Sequence, residues 1–256
     1  EIPTLVKYAE PVPYLIETSA ALGALAPAAA PADGDWCVLT HYDPDGEAKI
    51  LAAALYRFGA LPYTQALAHV QALLPAEKER LASELLGRLG RYDVPLRELE
   101  HTAYTFDLVM DQGAYAEFKR HRMMTQTPQR QTAALGYATP RLMDESGFGG
   151  DYRRAMDAAR AVWEKLHAEN PDVAQYVVPN GFNRRVLATF NLREAYAFCQ
   201  LRAAANAHFS IRRVAQRMYD EISRVHPLLA KYMKLPDEPW QGIEAGYFAG
   251  ESREVL

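Results

Sequence analysis

The segment HTAYTFDLVMD, residues 101–111, constrains the fold most strongly. Tyr104, Phe106, Leu108 and Met110 alternate with Thr105, Asp107 and Val109. Successive strand side chains point to opposite faces, so this period of two predicts a strand with one buried face. A bulky apolar row of this kind must be covered by another layer. Gly113 breaks the pattern, AYAEFKRHR reads as a short helix, and the chain then enters FKRHRMMTQTP, residues 118–128. There Arg120, His121 and Arg122 set charge at the end of a core element. A bare basic triplet reads either as a solvated turn or as an anion site. Guanidinium groups grip phosphate bidentately, and a histidine donates to a carbonyl or phosphate.

The covering elements read as helices. In HYDPDGEAKILAAALYRFG, Asp43 and Pro44 form a cap and first-turn pair, and Ile50, Leu51, Ala54, Leu55 and Phe58 form an apolar face. Further helices are expected over 64–73 and over 76–89, the latter ending at Gly90. Residues 152–168 turn Met156, Ala159, Trp163 and Leu166 inward, and Pro171 ends them. From Asn191 to about Val225 the pattern is helical again, with Ile211, Val214, Met218, Ile222 and Val225 at spacings of three and four and Arg212, Arg213, Arg217 and Glu221 off that stripe. The Ala/Pro-rich stretch 21–35 reads as a loop or linker. The Gly-rich 144–151 reads as a loop too, without the spacing of a phosphate cradle. Mostly helical elements with a few alternating strands give an α+β class.

Totals exclude several functions. With 28 basic and 32 acidic residues the net charge is −4, so no global basic field points to a nucleic-acid polymer, and an anion site has to be local. Cys37 and Cys199 lack CxxC spacing, which argues against a disulfide scaffold or a metal site and makes a reducing, cytoplasmic setting the default. No apolar run approaches the roughly 20 residues that span a bilayer, and no secretory signal is visible. The chain opens on Glu1 rather than Met and reads as a piece of a longer protein.

A second basic cluster lies in NLREAYAFCQLRAAANAHFSIRR, residues 191–213. Arg193 and Arg202 are nine residues apart and, at about 100° per residue, project to opposite sides of one helix. Ordinary surface arginines do this, and so does a helix that serves two sites at a subunit interface. Arg202 and Asn206 are expected to share a face. No Ser-His-Asp pattern is present. Asp43 and Asp45 read as turn residues, His41, His101, His167 and His226 as core or surface histidines, and neither cysteine as a nucleophile.

Four segments in order resemble the flavin-dependent thymidylate synthase family. LEHTAYTFDL is similar to its Glu-His strand, with Glu100 ahead of the basic triplet. RHRMMTQ is similar to its Arg-His-Arg signature. AQYVVPNGFNRRVLATFNLR resembles the segment holding its Pro and Asn-x-Arg pair, and FCQLRAAANAH its Leu-Arg helix. The resemblance implies an α+β domain over 36–230, with a mixed or antiparallel sheet flanked by long helices. Residues 1–35 would form an N-terminal extension or linker and 231–256 a C-terminal tail. It also implies a cytoplasmic homotetramer with FAD sites shared between subunits, away from membranes. The implied reaction is reductive methylation of dUMP to dTMP, with methylenetetrahydrofolate as carbon donor and NADPH as hydride source and no attack by an enzyme cysteine.

Residue by residue, the resemblance implies that Glu100, Arg120, His121, Asn191, Arg193, Leu201, Arg202 and Asn206 line the FAD site. Arg120, Arg130 and Arg202 would meet the nucleotide, and Arg202 would hold the uracil edge and stabilise charge developing on the ring. The departures fall mainly at nucleotide contacts. Where the signature has a serine and then an arginine, this chain has Arg130 and Thr132. Pro128 replaces a glutamate, Glu117 a glutamine and Gln175 an arginine, and Asn206 stands where a histidine is frequent. Arg130 and Arg184 are the candidates to replace the lost phosphate contacts. The alternative expectation is a non-catalytic or substrate-altered FAD-binding domain that supports assembly of a longer, thymidylate synthase-like protein.

Overall fold

The computed structural model describes residues 3, 6, 9–27, 34–90 and 92–249 and divides the chain into two compact units, Glu1–Asp33 and Gly34–Leu256. In the first unit Pro13 opens helix α1 (Pro13–Leu25), a position where its missing N–H costs nothing. Residues 21–25, expected in a loop, close this helix, because alanine and leucine are strong helix formers whatever follows them. Residues 28–33 of that expected linker lie outside the described residues, as do 250–256 of the expected tail.

The second unit is built on an antiparallel sheet of β1 (Cys37–Tyr42), β2 (Ala103–Asp111), β3 (Thr125–Pro128) and β4 (Asn183–Asn191), in the order β1-β2-β4-β3. β2 follows its period of two: Tyr104, Phe106, Leu108 and Met110 are fully buried. In register the first three face Phe190, Ala188 and Val186 of β4, Met110 faces Arg184, and Phe106 stacks on Phe190 at 5.7 Å. The opposite row carries polar pairs, with Thr105 Oγ1 and Thr189 Oγ1 2.9 Å apart and Asp107 gripped by Arg185. β1 carries a bulge between Leu39 and His41, and Thr40 in it donates its hydroxyl to the Thr105 carbonyl.

Around the sheet lie α2 (Gly46–Phe58), α3 (Tyr63–Ala72), α4 (Pro75–Leu86), α5 (Gln112–Phe118), α6 (Gly149–Glu169), α7 (Leu192–Arg202), α8 (Phe209–Val225) and α9 (Trp240–Tyr247). α8 delivers Ile211, Val214, Met218 and Ile222 to the same core as β2 and β4. Met156 and Trp163 of α6 bury a smaller cluster with Phe182 and Ala133.

Several expectations are corrected. Asp45, not Asp43, is the cap of α2; the Asp43 carboxylate accepts from the Asp45 N–H and from Lys49. Ile50 and Leu51 of α2 are buried with Ala52 and Ala53, whereas Phe58 is 71% exposed at the open end of the helix. α4 stops at Leu86 with Gly87 behind it, because glycine is a poor helix former and three further residues were not worth another turn. The Gly-rich 144–151 is mostly helical at its ends, and only 146–148 turn, with Gly147 at φ 80°. The region 191–225 is two helices, broken at 203–208, where His208 caps α8 through the Ser210 N–H. The expected tail contains α9, whose Ile243 is fully buried.

β2 and β4 each pass straight into a helix through an Asx cap. Asp111 accepts from Ala114 N–H at 2.8 Å to start α5, and Asn191 accepts from Glu194 N–H at 2.9 Å to start α7. Asp111 also accepts from the Ser210 hydroxyl, tying that cap to α8. Because the strands are antiparallel, α5 and α7 begin at opposite ends of the sheet, and they meet where Phe118 packs edge-on against Phe198 at 5.2 Å.

Candidate functional site

The turn after α5 and the face of α7 build one corner. Glu194, Phe198 and Arg202 are four residues apart along α7 and so form one stripe. The ring of His121 lies along it. Its Nδ1 is 2.9 Å from Glu194 Oε1, its ring stands perpendicular to that of Phe198 with centroids 4.9 Å apart, and Arg202 Nε donates to its Nε2 at 3.0 Å. Arg202 has only donors, so Nε2 is the acceptor, and the tautomer that satisfies both contacts carries its hydrogen on Nδ1, toward Glu194. The side chains of His121 and Glu194 are only 9% and 10% exposed. His121 is therefore a strut between the α5 turn and α7.

Its neighbours in the triplet behave differently. Arg120 and Arg122 are exposed, and among the described residues neither has an acidic partner. Arg120 and Arg122, without carboxylate partners, thus stand at the positions just before and just after a fixed imidazole. Gln126 holds the turn from below, donating to the Phe118 and His121 carbonyls.

Arg202 is held a second time, by Glu117 of α5, with Nη1 2.5 Å from Oε2. Neither Glu117 nor Glu194 was among the site residues expected from sequence. The signal for Glu194 was available in its helical spacing to Phe198 and Arg202. Glu117 was visible only as a departure from a family pattern.

Glu100 and Arg193 form a separate pair. Arg193 donates to Glu100 Oε1 at 3.1 Å and to the Pro95 carbonyl at 2.9 Å, and Arg97 grips the same carboxylate. The hydrogen bond from Arg97, and then the charge of Arg193, hold the Glu100 carboxyl below its usual range. Arg193 and Arg202, on one helix, thus point to two different clusters. The structure does not bring Glu100 and Arg193 onto the His121 stripe within this chain, but it sets both clusters at one end of the sheet. Asn191 ends β4 opposite Ala103, just after the Glu100 turn, while Thr125, just after the triplet, pairs with Thr189.

The remaining expected residues scatter. Asn191 is the α7 cap. Leu201 is 57% exposed. Asn206 sits in the exposed turn after α7, so it shares no helical face with Arg202: the helix ends at Arg202 itself. Arg130 pairs with Asp172 at 3.0 Å, both largely exposed, and such a pair parts at little cost. Gln175 uses its Oε1 to accept from the Gln131 N–H, making it a clasp on the loop after β3. Arg184 lies over the Tyr115 ring at 4.6 Å and donates to the Gln129 carbonyl and to Gln112. Burial pulls its pKa down, since none of these neighbours is an ionised carboxylate. Burial also pushes the Cys37 and Cys199 thiols well up, which leaves neither as a thiolate near neutral pH.

Comparison with known proteins agrees with this architecture. The family described as "Thy1: Thymidylate synthase complementing protein" matches residues 38–228. A UPF0159 protein of Chlamydia muridarum is 33% identical over 217 residues, 84% of this chain and 40% of that protein. A flavin-dependent thymidylate synthase of Sulfolobus acidocaldarius is 34% identical over 142 residues, 52% of this chain and 55% of that protein. The chain spans about two fifths of the length of the UPF0159 relatives it matches. Among solved structures, the flavin-dependent thymidylate synthase ThyX of Helicobacter pylori, complexed with FAD and dUMP, superposes with a TM-score of 0.58. Identity is 18%, and the match covers 78% of this chain and 99% of that one. A UMP/dUMP methylase, PolB, from Streptomyces cacaoi, bound with 5-Br dUMP, gives a TM-score of 0.57 at 18% identity, over 77% and 93% of the two chains. At that identity these two structures speak for the fold alone. No helix among the described residues is long and apolar enough to cross a membrane.

Proposed function

The chain belongs to the Thy1 family of thymidylate synthase complementing proteins, and from that membership we propose that it binds FAD and serves the reductive methylation of dUMP to dTMP. Methylenetetrahydrofolate would be the carbon donor and NADPH the hydride source. The observation that carries the reading is the corner itself: Arg120 and Arg122, exposed and without carboxylates, flank a histidine locked between Glu194 and Arg202. Two free guanidiniums beside a rigid ring suit the pyrophosphate of a dinucleotide. Asn191, whose side-chain oxygen is spent on the α7 cap, keeps its amide N–H groups to donate.

When bound, FAD would supply the redox chemistry that makes the uracil ring reactive and reduces the transferred carbon. The roles of this chain are binding and placement. Arg120 and Arg122 would neutralise phosphate. His121, unable to rotate, would present a fixed imidazole edge. Arg202 would place its guanidinium at the uracil edge, where positive charge stabilises negative charge developing on the ring. Arg193 and Glu100, facing away from that stripe, would complete the site of a neighbouring copy in a homotetramer. Light scattering at one chain mass, 28.7 kDa, at high concentration would count against the shared-site arrangement.

A second reading has its own support. Gln175 clasps the loop after β3, Arg130 is taken by Asp172, and Glu117 sits on Arg202. Residues at nucleotide-contact positions are thus occupied inside the chain, as in an FAD-binding domain that supports assembly of a longer protein. Flavin uptake and turnover separate the two. Purified protein that carries a flavin absorbance band through gel filtration and releases tritium from [5-3H]dUMP fits the enzyme. Flavin uptake without tritium release fits the assembly domain. A protein that takes up no FAD at micromolar concentration contradicts both.

A further inference from the structure

We infer that Glu117 tunes what the His121–Arg202 corner accepts: its carboxylate competes for Arg202 and weakens the hold on nucleotide monophosphates, while leaving Arg120 and Arg122 open to FAD. The inference rests on the FAD-and-nucleotide reading of this corner.

A guanidinium grips a planar or anionic ligand through an edge that offers two parallel N–H groups. One edge uses Nε with Nη2, the other Nη1 with Nη2. In this chain Nε is given to His121 and Nη1 to Glu117. Each edge therefore has one nitrogen already engaged, and a uracil edge or a phosphate must displace one of the two partners to be held bidentately.

The structure shows which partner yields. His121 is packed edge-on against Phe198, anchored by Glu194 on its other nitrogen and only 9% exposed. Glu117 has one bond to Arg202, lies near the end of the short helix α5 and is 23% exposed, more than the 13% of Arg202 itself. Glu117 is the movable member.

Charge acts in the same direction. Within the corner the two carboxylates of Glu117 and Glu194 face a single guanidinium, that of Arg202. An approaching dianion meets repulsion there rather than an unpaired cation. The exposed Arg120 and Arg122 lie outside that cage and keep their charge for a dinucleotide.

The test measures dUMP binding by calorimetry to wild type, Glu117→Gln and Glu117→Ala, each without and with saturating FAD, after thermal melts show that all three are folded. Gln keeps the shape and removes the charge, and Ala removes both. Both variants are expected to bind dUMP at least about tenfold more tightly than wild type, since a charge-assisted contact is regained. Flavin affinity should stay within about twofold. Equal or weaker dUMP affinity in both variants overturns the inference, and so does undetectable dUMP binding in all three proteins. Failure of the FAD reading shows separately, as absence of flavin uptake in every protein, and the ratio of dUMP affinities measured without FAD still decides the role of Glu117.

Discussion

In α8, Arg212, Arg213 and Arg217 turn inward; after α5, Arg120 and Arg122 stand outward. Arg212 pairs with Glu238 and lies over the Tyr247 ring at 5.3 Å. Arg213 pairs with Glu244 at 3.6 Å and stacks on Trp36 and Phe248. Arg217 is held at 2.5 Å by both Asp35 and Glu221. Each is given a carboxylate, most of them from residues far along the chain, and each lies against an aromatic face. The α8 group clasps 238–248 onto the body. The triplet after α5 receives a carboxylate only at its centre, through His121. The two regions are both rich in arginine, and the difference between a clasp and the proposed ligand site lies in which of them the fold neutralises.

The largest effect that would sharpen this contrast is on stability. Glu238→Ala leaves the Arg212 guanidinium, only 7% exposed, without its carboxylate. Stranding a buried charge costs about 3–5 kcal/mol, and the one-third exposure of Glu238 places this case near about 3 kcal/mol. Urea unfolding should show that loss with flavin affinity unchanged. A loss under about 1 kcal/mol would mean that the clasp is ornamental, as exposed ion pairs often are.

Next comes the reverse pattern at the corner. Arg120→Ala and Arg122→Ala remove exposed side chains without ion-pair partners, so stability should move by less than about 0.5 kcal/mol. Flavin affinity should fall by about tenfold for each, the value of one charge-assisted contact to phosphate. Destabilisation in place of lost affinity would erase the distinction between the two regions.

The smallest effect is acid sensitivity in the body of the domain. His226 is 1% exposed, donates from Nε2 to the Asp43 carbonyl and accepts at Nδ1 from the Tyr104 hydroxyl, 2.6 Å away. Burial lowers its pKa below the ordinary 6.5. The unfolded chain therefore binds this proton more readily than the folded one. The contribution of His226 is fully present above pH 6.5 and is lost as pH falls from there through the lowered folded value, at up to about 1.4 kcal/mol per pH unit. Melting midpoints of wild type should fall between pH 7 and pH 5 more steeply than those of His226→Gln. Parallel curves would remove His226 from the acid response.

Much of this was legible because it is local. The alternation of β2 and the stripe of α8 are written in adjacent residues, and so is the opposition of Arg193 and Arg202. β1 went unseen because CVLTHY is short, bulged and only partly buried. β4 hid behind Leu187, an apolar residue on the outer face that is 44% exposed and blurs the period of two. The corner was legible by half. Arg120, His121 and Arg202 announce themselves as charged groups in short motifs. That His121 is a strut depends on Glu194 and Phe198 being laid across it by the antiparallel meeting of α5 and α7. The partners of Arg212 and Arg213 were hidden by distance, since Glu238 and Glu244 return only through α9 and the turn before it.

Flavin titration of wild type against the Arg120→Ala/Arg122→Ala double variant tests the central claim most directly, with fluorescence quenching of FAD as the readout and urea unfolding of both proteins alongside. Wild type should take up one FAD per chain, and the double variant, equally stable, should bind about a hundredfold more weakly. Equal FAD affinity in the two proteins, or none in wild type, would contradict the assignment of this corner.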